Sequence, residues 1–229
     1  MNYQWLLFDA DGTLFDYDRA EAVALQKAFE SFDFKFKAEY SLVYRHINAQ
    51  IWQEFERGEV TQADLRTKRF SLLFDALKIE VNPKAFSQSY LKYLGEGDYL
   101  LDGAQETLEA LYGKVDMMLI TNGLKDVQRS RLARSTIGHY FVDVIISEEV
   151  GVAKPENGIF EAAFQKMGWP KKESVLMIGD SLSSDINGGN QFGIDTCWFN
   201  PNHSERTADV SIRHEITHLS ELLEIVGLI

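Results

Sequence analysis

The chain has 229 residues, of which 45% are hydrophobic and 25% are charged, and its formal net charge at pH 7 is −12. These proportions are typical of a folded globular protein, and the acidic balance disfavours nucleic acid and anionic membranes as partners. Cys197 is the single cysteine, which excludes an internal disulfide. No run approaches the ~20 apolar residues of a transmembrane helix, and the first residues lack the positive segment of a signal peptide. We therefore expect a cytoplasmic protein.

Short apolar runs predict the strands of a parallel sheet, because strands covered on both faces lose their polar alternation. Helical patterns lie between these runs. The alternation predicts an α/β fold built on a doubly wound parallel sheet. The predicted strands are 5–8, 115–120, 144–146, 175–178 and 196–199, with a weaker one near 209–212, and the predicted helices between and after them are 103–112, 127–136, 155–167 and 219–226.

A long helical segment follows the first strand and interrupts this alternation. Its four patterns cover residues 19–29, residues 44–55, a stretch from Thr61 to Leu77 that opens with a capping box, and a stretch that begins at Pro83. An insert of about 80 residues is too long for a loop in a compact domain. We predict a helical cap domain of residues 16–98, with hinges near 16–17 and 95–99, inserted into a core domain of residues 1–15 plus 99–229.

The first apolar run ends in Asp9 and Asp11, at the edge of the sheet where ligands bind in open α/β folds. Two carboxylates at alternate positions of an extended chain point to the same side and could share Mg²⁺. One could attack a phosphorus while the other exchanges a proton with the leaving oxygen. Taken alone, the sequence Asp-x-Asp-Gly favours an ordinary turn instead.

Polar residues also follow three later runs. Thr121 and Asn122 could hold phosphate oxygens, Lys154 could bring a positive charge to a phosphate, and Asp180 could provide a second metal carboxylate. Asp185 could orient that carboxylate or Lys154. Each residue also has an ordinary interpretation, as a turn, a solvated lysine or a helix cap. Their combination on four strand ends indicates phosphoryl transfer through an aspartyl-phosphate.

These segments together resemble the haloacid dehalogenase superfamily. Residues 8–16 look like its first motif, residues 121–123 like its second, residues 152–155 like its third, and Gly179-Asp180 with Asp185 like its fourth. Order and spacing agree, and the resemblance extends over the whole chain, including a helical cap of the C1 type. It implies a core of the Rossmann-like form found in that superfamily.

The resemblance implies a role for each motif residue. Asp9 would attack the phosphoryl group, and Asp11 would protonate the leaving alcohol and then activate water. Mg²⁺ would be held by Asp9, Asp180 and the backbone carbonyl of Asp11. The remaining assignments are Thr121 and Asn122 to the phosphate oxygens, Lys154 to the charge of the phosphate and of Asp9, and Asp185 to the support of Lys154 and the waters of the metal.

Asp11 favours a phosphate ester over a haloacid, because dehalogenases of the superfamily lack this second aspartate. A closer resemblance is to bacterial 5′-nucleotidases that act on pyrimidine and noncanonical nucleoside monophosphates. It is carried by residues 51–53, 58, 69–70, 146–155 and 195–200. A phosphatase of a sugar phosphate or phosphoglycolate, a phosphomutase and a binding module without activity are the alternatives.

Substrate choice in such an enzyme would come from cap side chains that face the cleft. The candidates are Tyr17, Trp52, Phe55 and Arg69, since a nucleobase can stack on an aromatic ring. Packing inside the cap is the alternative for Trp52 and Phe55, and a surface salt bridge is the alternative for Arg69. The expected partner is a small phosphate ester, and the expected assembly is a monomer or small homo-oligomer.

Overall fold

Six short strands form one parallel sheet in the computed structural model, which describes residues 3–206 and 210–229. Their spatial order is β3-β2-β1-β4-β5-β6, with every neighbouring pair parallel. The α/β fold with a doubly wound sheet is confirmed, and the first five predicted strands are correct within one residue at each end. The strands are β1 (Trp5–Phe8), β2 (Asp116–Thr121), β3 (Asp143–Ile146), β4 (Val175–Gly179), β5 (Asp195–Phe199) and β6 (His214–Ile216).

The sixth strand does not lie where the weak apolar pattern placed it. Residues 210–212 carry no strand, and Asp209 lies outside the described residues. The strand is His214–Ile216, paired with β5 at the edge of the sheet. Its first two residues are polar and incompletely buried, and Ile216 alone faces the core, so no apolar run marks it.

Helices cover both faces of the sheet and form the segment between β1 and β2. The apolar residues of the sheet divide into two clusters, one on each face. None of the helices among the described residues is long and apolar enough to cross a membrane. The helices are α1 (Tyr17–Glu30), α2 (Ala38–Glu56), α3 (Gln62–Leu77), α4 (Pro83–Glu96), α5 (Ala104–Leu111), α6 (Lys125–Arg134), α7 (Ser147–Val150), α8 (Asn157–Met167), α9 (Asn187–Phe192) and α10 (Leu222–Ile225).

Helices α1 to α4 pack around a third apolar cluster rich in aromatic rings. Phe29 stands at its centre, with ring centroids 4.9 Å from Phe86 and 5.0 Å from Tyr40. The predicted capping box is present, since Thr61 and Asp64 exchange hydrogen bonds at the start of α3. The helical nature of this segment therefore follows from sequence, although its status as a separate cap domain stays a prediction.

The two chain crossings between this segment and the sheet lie side by side. The Asp16 N–H donates to the Tyr99 carbonyl at 2.9 Å, and Phe15 pairs with Leu100. The Arg19 guanidinium lies 4.1 Å from the centroid of the Tyr99 ring. The two crossings include residues of both predicted hinges, and the hinges themselves stay a prediction.

Candidate active site

The carboxyl ends of the central strands open into a cavity of about 700 Å³. Asp9 follows β1, Thr121 ends β2 and Asp180 follows β4, so their side chains meet at one edge of the sheet. Lys154 reaches the same cavity from the loop between α7 and α8. Residues of α1 and α2 close the cavity from the opposite side. The sheet topology thus brings together residues that are distant in the sequence, since Asp9 and Asp180 are 171 positions apart, as the position of ligand sites in α/β sheets predicts.

Lys154 is the centre of a buried ion cluster. Its Nζ lies 2.5 Å from Asp9 Oδ1 and 2.7 Å from Asp185 Oδ1, and it donates to the Ile120 carbonyl oxygen at 2.8 Å. The ammonium therefore donates two hydrogen bonds, to Asp9 and to the Ile120 carbonyl, and forms an ion pair with Asp185. Its side chain is only 1% exposed, and a lysine buried without such acceptors would tend to lose its proton.

The charges of the cluster displace the pKa values of its members. Burial raises the pKa of Asp9 well above its usual 3.8, an effect that Lys154 opposes and that the charges of Asp185 and Asp180 strengthen. Burial alone would lower the pKa of Lys154, but the charges of Asp185 and Asp9 raise it above its usual 10.5. The two shifts have different main causes, since burial dominates at Asp9 and the neighbouring carboxylates dominate at Lys154.

The carboxylate oxygens of Asp9, Asp180 and Asp185 lie within 4.8 Å of one another. The Asp180 side chain lies on the surface of the cavity, but many protein atoms surround it. This enclosure, followed by the charge of Asp185, raises the pKa of Asp180 from 3.8 to about 7. An all-oxygen donor set with two negative charges in excess suits a hard divalent cation such as Mg²⁺. The residues present therefore fit the metal that the family resemblance implies.

Two glycines allow the carboxylates to come this close to the backbone. A Cβ at Gly179 would overlap the Asp185 carboxylate, and a Cβ at Gly12 would lie 2.5 Å from Asp180 Oδ2. Gly12 also has a φ of +85°, which other residues rarely adopt. Side chains at these two positions would displace the carboxylates from the cluster.

Binding of Mg²⁺ is expected to raise the unfolding temperature more at about pH 8 than at about pH 5.5, because protons compete for Asp9 and Asp180 at the lower pH. Thermal unfolding with Mg²⁺ and with EDTA measures this difference. Asp180→Asn should lose most of the Mg²⁺-induced shift, whereas Asp116→Asn, which alters an exposed aspartate at the start of β2, should keep it. An equal shift in all three proteins would contradict a metal held by this cluster.

Thr121 and Asn122 form the turn after β2. The Thr121 hydroxyl oxygen accepts from the Gly123 N–H at 3.0 Å, which leaves its own O–H free to donate into the cavity. Both ends of the Asn122 side-chain amide are engaged with the backbone of Lys154, at 2.9 and 2.8 Å. Asn122 therefore fixes the lysine loop with its side chain.

Asp11 borders the cavity, but its carboxylate is held from behind by two residues of α6. Gln128 Nε2 donates to Asp11 Oδ2 at 2.5 Å, and Arg131 Nη1 contacts Asp11 Oδ1. Neither residue was singled out from the sequence. The available signal was the helical spacing, which places Arg131 four residues after the apolar Val127 and hence on the buried face of the helix.

Two of the four cap candidates, Tyr17 and Trp52, line the cavity. Glu56, one turn after Trp52 on α2, lines it as well and was not foreseen. It accepts a hydrogen bond from Ser183 Oγ at 2.9 Å, which joins α2 to the turn after β4. Burial raises the pKa of Glu56, and the Ser183 hydrogen bond opposes this shift.

The other two candidates, Phe55 and Arg69, are not among the residues that line this cavity. Phe55 packs edge-on against Trp52, with ring centroids 5.8 Å apart. Arg69 is 1% exposed and donates to Asn48 Oδ1 at 2.8 Å, and Asn48 in turn donates to the Tyr17 hydroxyl at 3.1 Å. Arg69 thus reaches the cavity only through Asn48 and Tyr17.

The chain belongs to the haloacid dehalogenase-like hydrolases, a family that matches residues 3–193. It is therefore an enzyme of the hydrolase class. It is 35% identical over 226 residues to the pyrimidine 5′-nucleotidase YjjG of Escherichia coli, covering 99% of both chains. It is 36% identical over 225 residues to the pyrimidine 5′-nucleotidase PynA of Streptococcus pneumoniae, covering 98% of this chain and 95% of that protein.

The fold also matches a solved structure of this family along its whole length. The HAD-hydrolase YfnB of Bacillus subtilis, in a crystal form bound to magnesium, superposes with a TM-score of 0.94. The two chains are 35% identical, and the match covers 99% of this chain and 100% of the other. The family assignment thus has support from sequence and from structure.

Proposed function

We propose that the protein is a Mg²⁺-dependent phosphomonoesterase that forms an aspartyl-phosphate on Asp9, and that its substrates are pyrimidine or noncanonical nucleoside 5′-monophosphates. The buried contact between Asp9 and Lys154 carries this proposal, since it places a nucleophile beside a fixed positive charge at the carboxyl ends of the strands. The family and the substrates named for YjjG and PynA support it. We place the enzyme in the cytoplasm.

Two displacements at phosphorus complete the reaction. Asp9 Oδ attacks the phosphorus while the bond to the nucleoside oxygen breaks, and that oxygen takes a proton from Asp11. Water then attacks the phosphorus, Asp11 takes its proton, and the bond to Asp9 breaks to release inorganic phosphate.

The remaining polar groups hold the phosphate in place. Lys154 and the Thr121 hydroxyl donate to its oxygens. When bound, Mg²⁺ would supply positive charge that offsets the phosphate and the carboxylates. The residues that would hold it are Asp9, Asp180 and the backbone carbonyl of Asp11. Asp185 lies close enough to these groups to support Lys154 and the waters of the metal.

The charge of the cavity favours a substrate whose only anionic group is its phosphate. Eight carboxylates line the cavity, and Lys154 is the single cationic side chain among its described lining residues. Glu56 and Asp18 stand on the helical side, where the remainder of the substrate would lie. A second carboxylate or phosphate would meet repulsion there, which disfavours phosphoglycolate and the bisphosphate intermediate of a phosphomutase.

Aromatic residues in the same cavity suit a nucleoside. Tyr17 and Trp52 line it from the helices, and Trp198 lines it from the end of β5. The Trp198 indole N–H is already used, because it donates to the Asp180 carbonyl at 2.9 Å. The Trp198 residue is also only 3% exposed, so Trp52, which is half-buried, offers the larger surface for a stacking contact.

The test is phosphate release from a panel of esters, measured with Mg²⁺ and with EDTA. We expect Mg²⁺-dependent release that favours pyrimidine monophosphates. The panel includes glycerol phosphate and phosphoglycerate, which differ by one carboxylate, and we expect the former to be the better substrate. Preference for a sugar phosphate or phosphoglycolate would overturn the substrate assignment. Isomerisation with little phosphate release would indicate a mutase, and no reaction with any ester would indicate a binding module.

Glu56→Gln tests the charge argument within this panel. Glutamine keeps an acceptor for Ser183, so the change removes mainly the negative charge. At about pH 8 we expect the preference for glycerol phosphate over phosphoglycerate to fall about fivefold, the effect of ~1 kcal/mol for one charge pair at about 8 Å in a partly aqueous medium. Glu39→Gln, at an exposed position near the start of the same helix, should leave the preference unchanged. An unchanged preference in Glu56→Gln would contradict the argument.

A further inference from the structure

The carboxylate of Asp11 has both oxygens occupied by donors from one helix. Gln128 donates to Oδ2 and Arg131 contacts Oδ1, and the two side chains are three residues apart on α6. Both are completely buried, whereas the Asp11 side chain keeps 23% of its surface exposed. The carboxylate is thus fixed on its inner side and open towards the cavity.

Arg131 has few other partners. Its Nε and Nη2 atoms have no hydrogen-bond partner among the described residues, and its guanidinium lies 5.1 Å from the centroid of the Phe15 ring. An arginine buried in this way is rarely justified by stability, since an apolar residue of similar size usually packs as well. Its contact with Asp11 is the feature that distinguishes it from an ordinary core residue.

The Gln128 side chain packs against Gly123, in the turn after β2, where the glycine has no side chain of its own. A Cβ at Gly123 would overlap the Gln128 amide. The turn that carries Thr121 and Asn122 therefore has a glycine at the point where Gln128 passes towards Asp11. The turn after β2 and the side chain that contacts Asp11 therefore pack directly against each other.

We infer that Arg131 and Gln128 are positioning residues for Asp11, which hold its carboxylate where it can reach the leaving oxygen and the attacking water. This inference rests on the proposed function, in which Asp11 performs both proton transfers. Neither residue lines the cavity, so each acts through Asp11 and not on the substrate.

The test compares Arg131→Met with wild type on two esters, a nucleoside monophosphate and p-nitrophenyl phosphate. Expulsion of nitrophenolate needs no proton, whereas expulsion of a nucleoside alkoxide does. With p-nitrophenyl phosphate, we expect a rapid burst of nitrophenol close to the wild-type rate. Slow turnover should follow, because hydrolysis of the aspartyl-phosphate needs Asp11 to take a proton from the attacking water. With the nucleotide, the variant should show no burst, a kcat about 100-fold lower and a nearly unchanged KM.

Three controls separate positioning from a general structural effect. Arg134→Met changes an exposed arginine one turn further along the same helix and should behave as wild type. Arg131→Lys should recover part of the activity, since it keeps a positive donor. In an Asp11→Asn background, Arg131→Met should lower kcat by less than twofold, because residues that act through one group are not additive.

The inference would be overturned if Arg131→Met lowered the burst rate and the steady-state rate with p-nitrophenyl phosphate equally. It would also be overturned if Arg131→Met lowered kcat as much in the Asp11→Asn background as in the wild type. If Arg131→Met does not fold, Gln128→Met serves as the second variant, with the same expected burst and a smaller loss in kcat. A wild-type enzyme that hydrolyses neither ester would instead refute the proposed function.

Discussion

Asp9→Asn is expected to lower phosphate release by at least about 10⁴-fold while the folded protein stays as stable as wild type or becomes more stable in EDTA. The loss follows because an amide cannot form the aspartyl-phosphate. The stability follows from the raised pKa of Asp9, which burial produces. A raised carboxyl pKa means that the folded state binds a proton more tightly than the unfolded chain. The ionised group therefore destabilises the fold as pH rises above about 4, and asparagine removes this effect.

Phosphate release and urea unfolding in EDTA measure the two halves of this expectation. Asparagine keeps an oxygen that can accept from Lys154, whose contacts with Asp185 and the Ile120 carbonyl also persist. Asp116→Asn again provides the control, since it removes an exposed carboxylate elsewhere. Activity within tenfold of wild type would show that Asp9 is not the nucleophile, and a large loss of stability would show that the ion pair with Lys154 outweighs the burial of the charge.

The central strands could be predicted because a parallel sheet covered on both faces leaves a continuous apolar run in the sequence. β1 and β4 are buried in this way, and their predicted bounds are close to the observed ones. β6 could not be found by the same signal. It lies at the edge of the sheet, with His214 and Glu215 incompletely buried, and its position follows from pairing with β5 and not from its own composition.

The strand-end residues could be predicted because the topology of an α/β sheet fixes where they meet. The neighbours of Asp11 depend instead on how α6 packs in the folded chain, where α4 is its main helical neighbour, and a sequence does not state which polar residues of a helix will be buried. The same reason explains Arg69. Its charge suggested the cleft or the surface, but packing against Phe70 and Tyr90, both fully buried, encloses it within the helical segment. Tertiary packing decides such positions, and local pattern does not.

Lys154→Met is expected to destabilise the protein by about 3–5 kcal/mol near neutral pH and to abolish activity. The variant leaves the carboxylates of Asp9 and Asp185 buried without their counter-charge, the situation in which loss of one partner is most costly. The raised pKa of Lys154 points the same way. The folded state holds this proton more tightly than the unfolded chain, so Lys154 stabilises the fold at every pH below about 10.5 and ceases to do so only at alkaline pH.

The stability loss in Lys154→Met should depend on pH in a direction that a simple packing defect would not produce. As pH falls, protonation of Asp9, whose pKa burial raises, removes one of the two unpaired charges. The difference from wild type, measured by urea unfolding in EDTA at about pH 8 and about pH 5, should therefore shrink at the lower pH. Lys166→Met removes an exposed lysine that lies 3.1 Å from Asp143 and should change stability by less than ~1 kcal/mol at both pH values. A loss in Lys154→Met that is the same at both pH values would mean that the missing packing of the lysine side chain, and not its charge, stabilises this edge of the sheet.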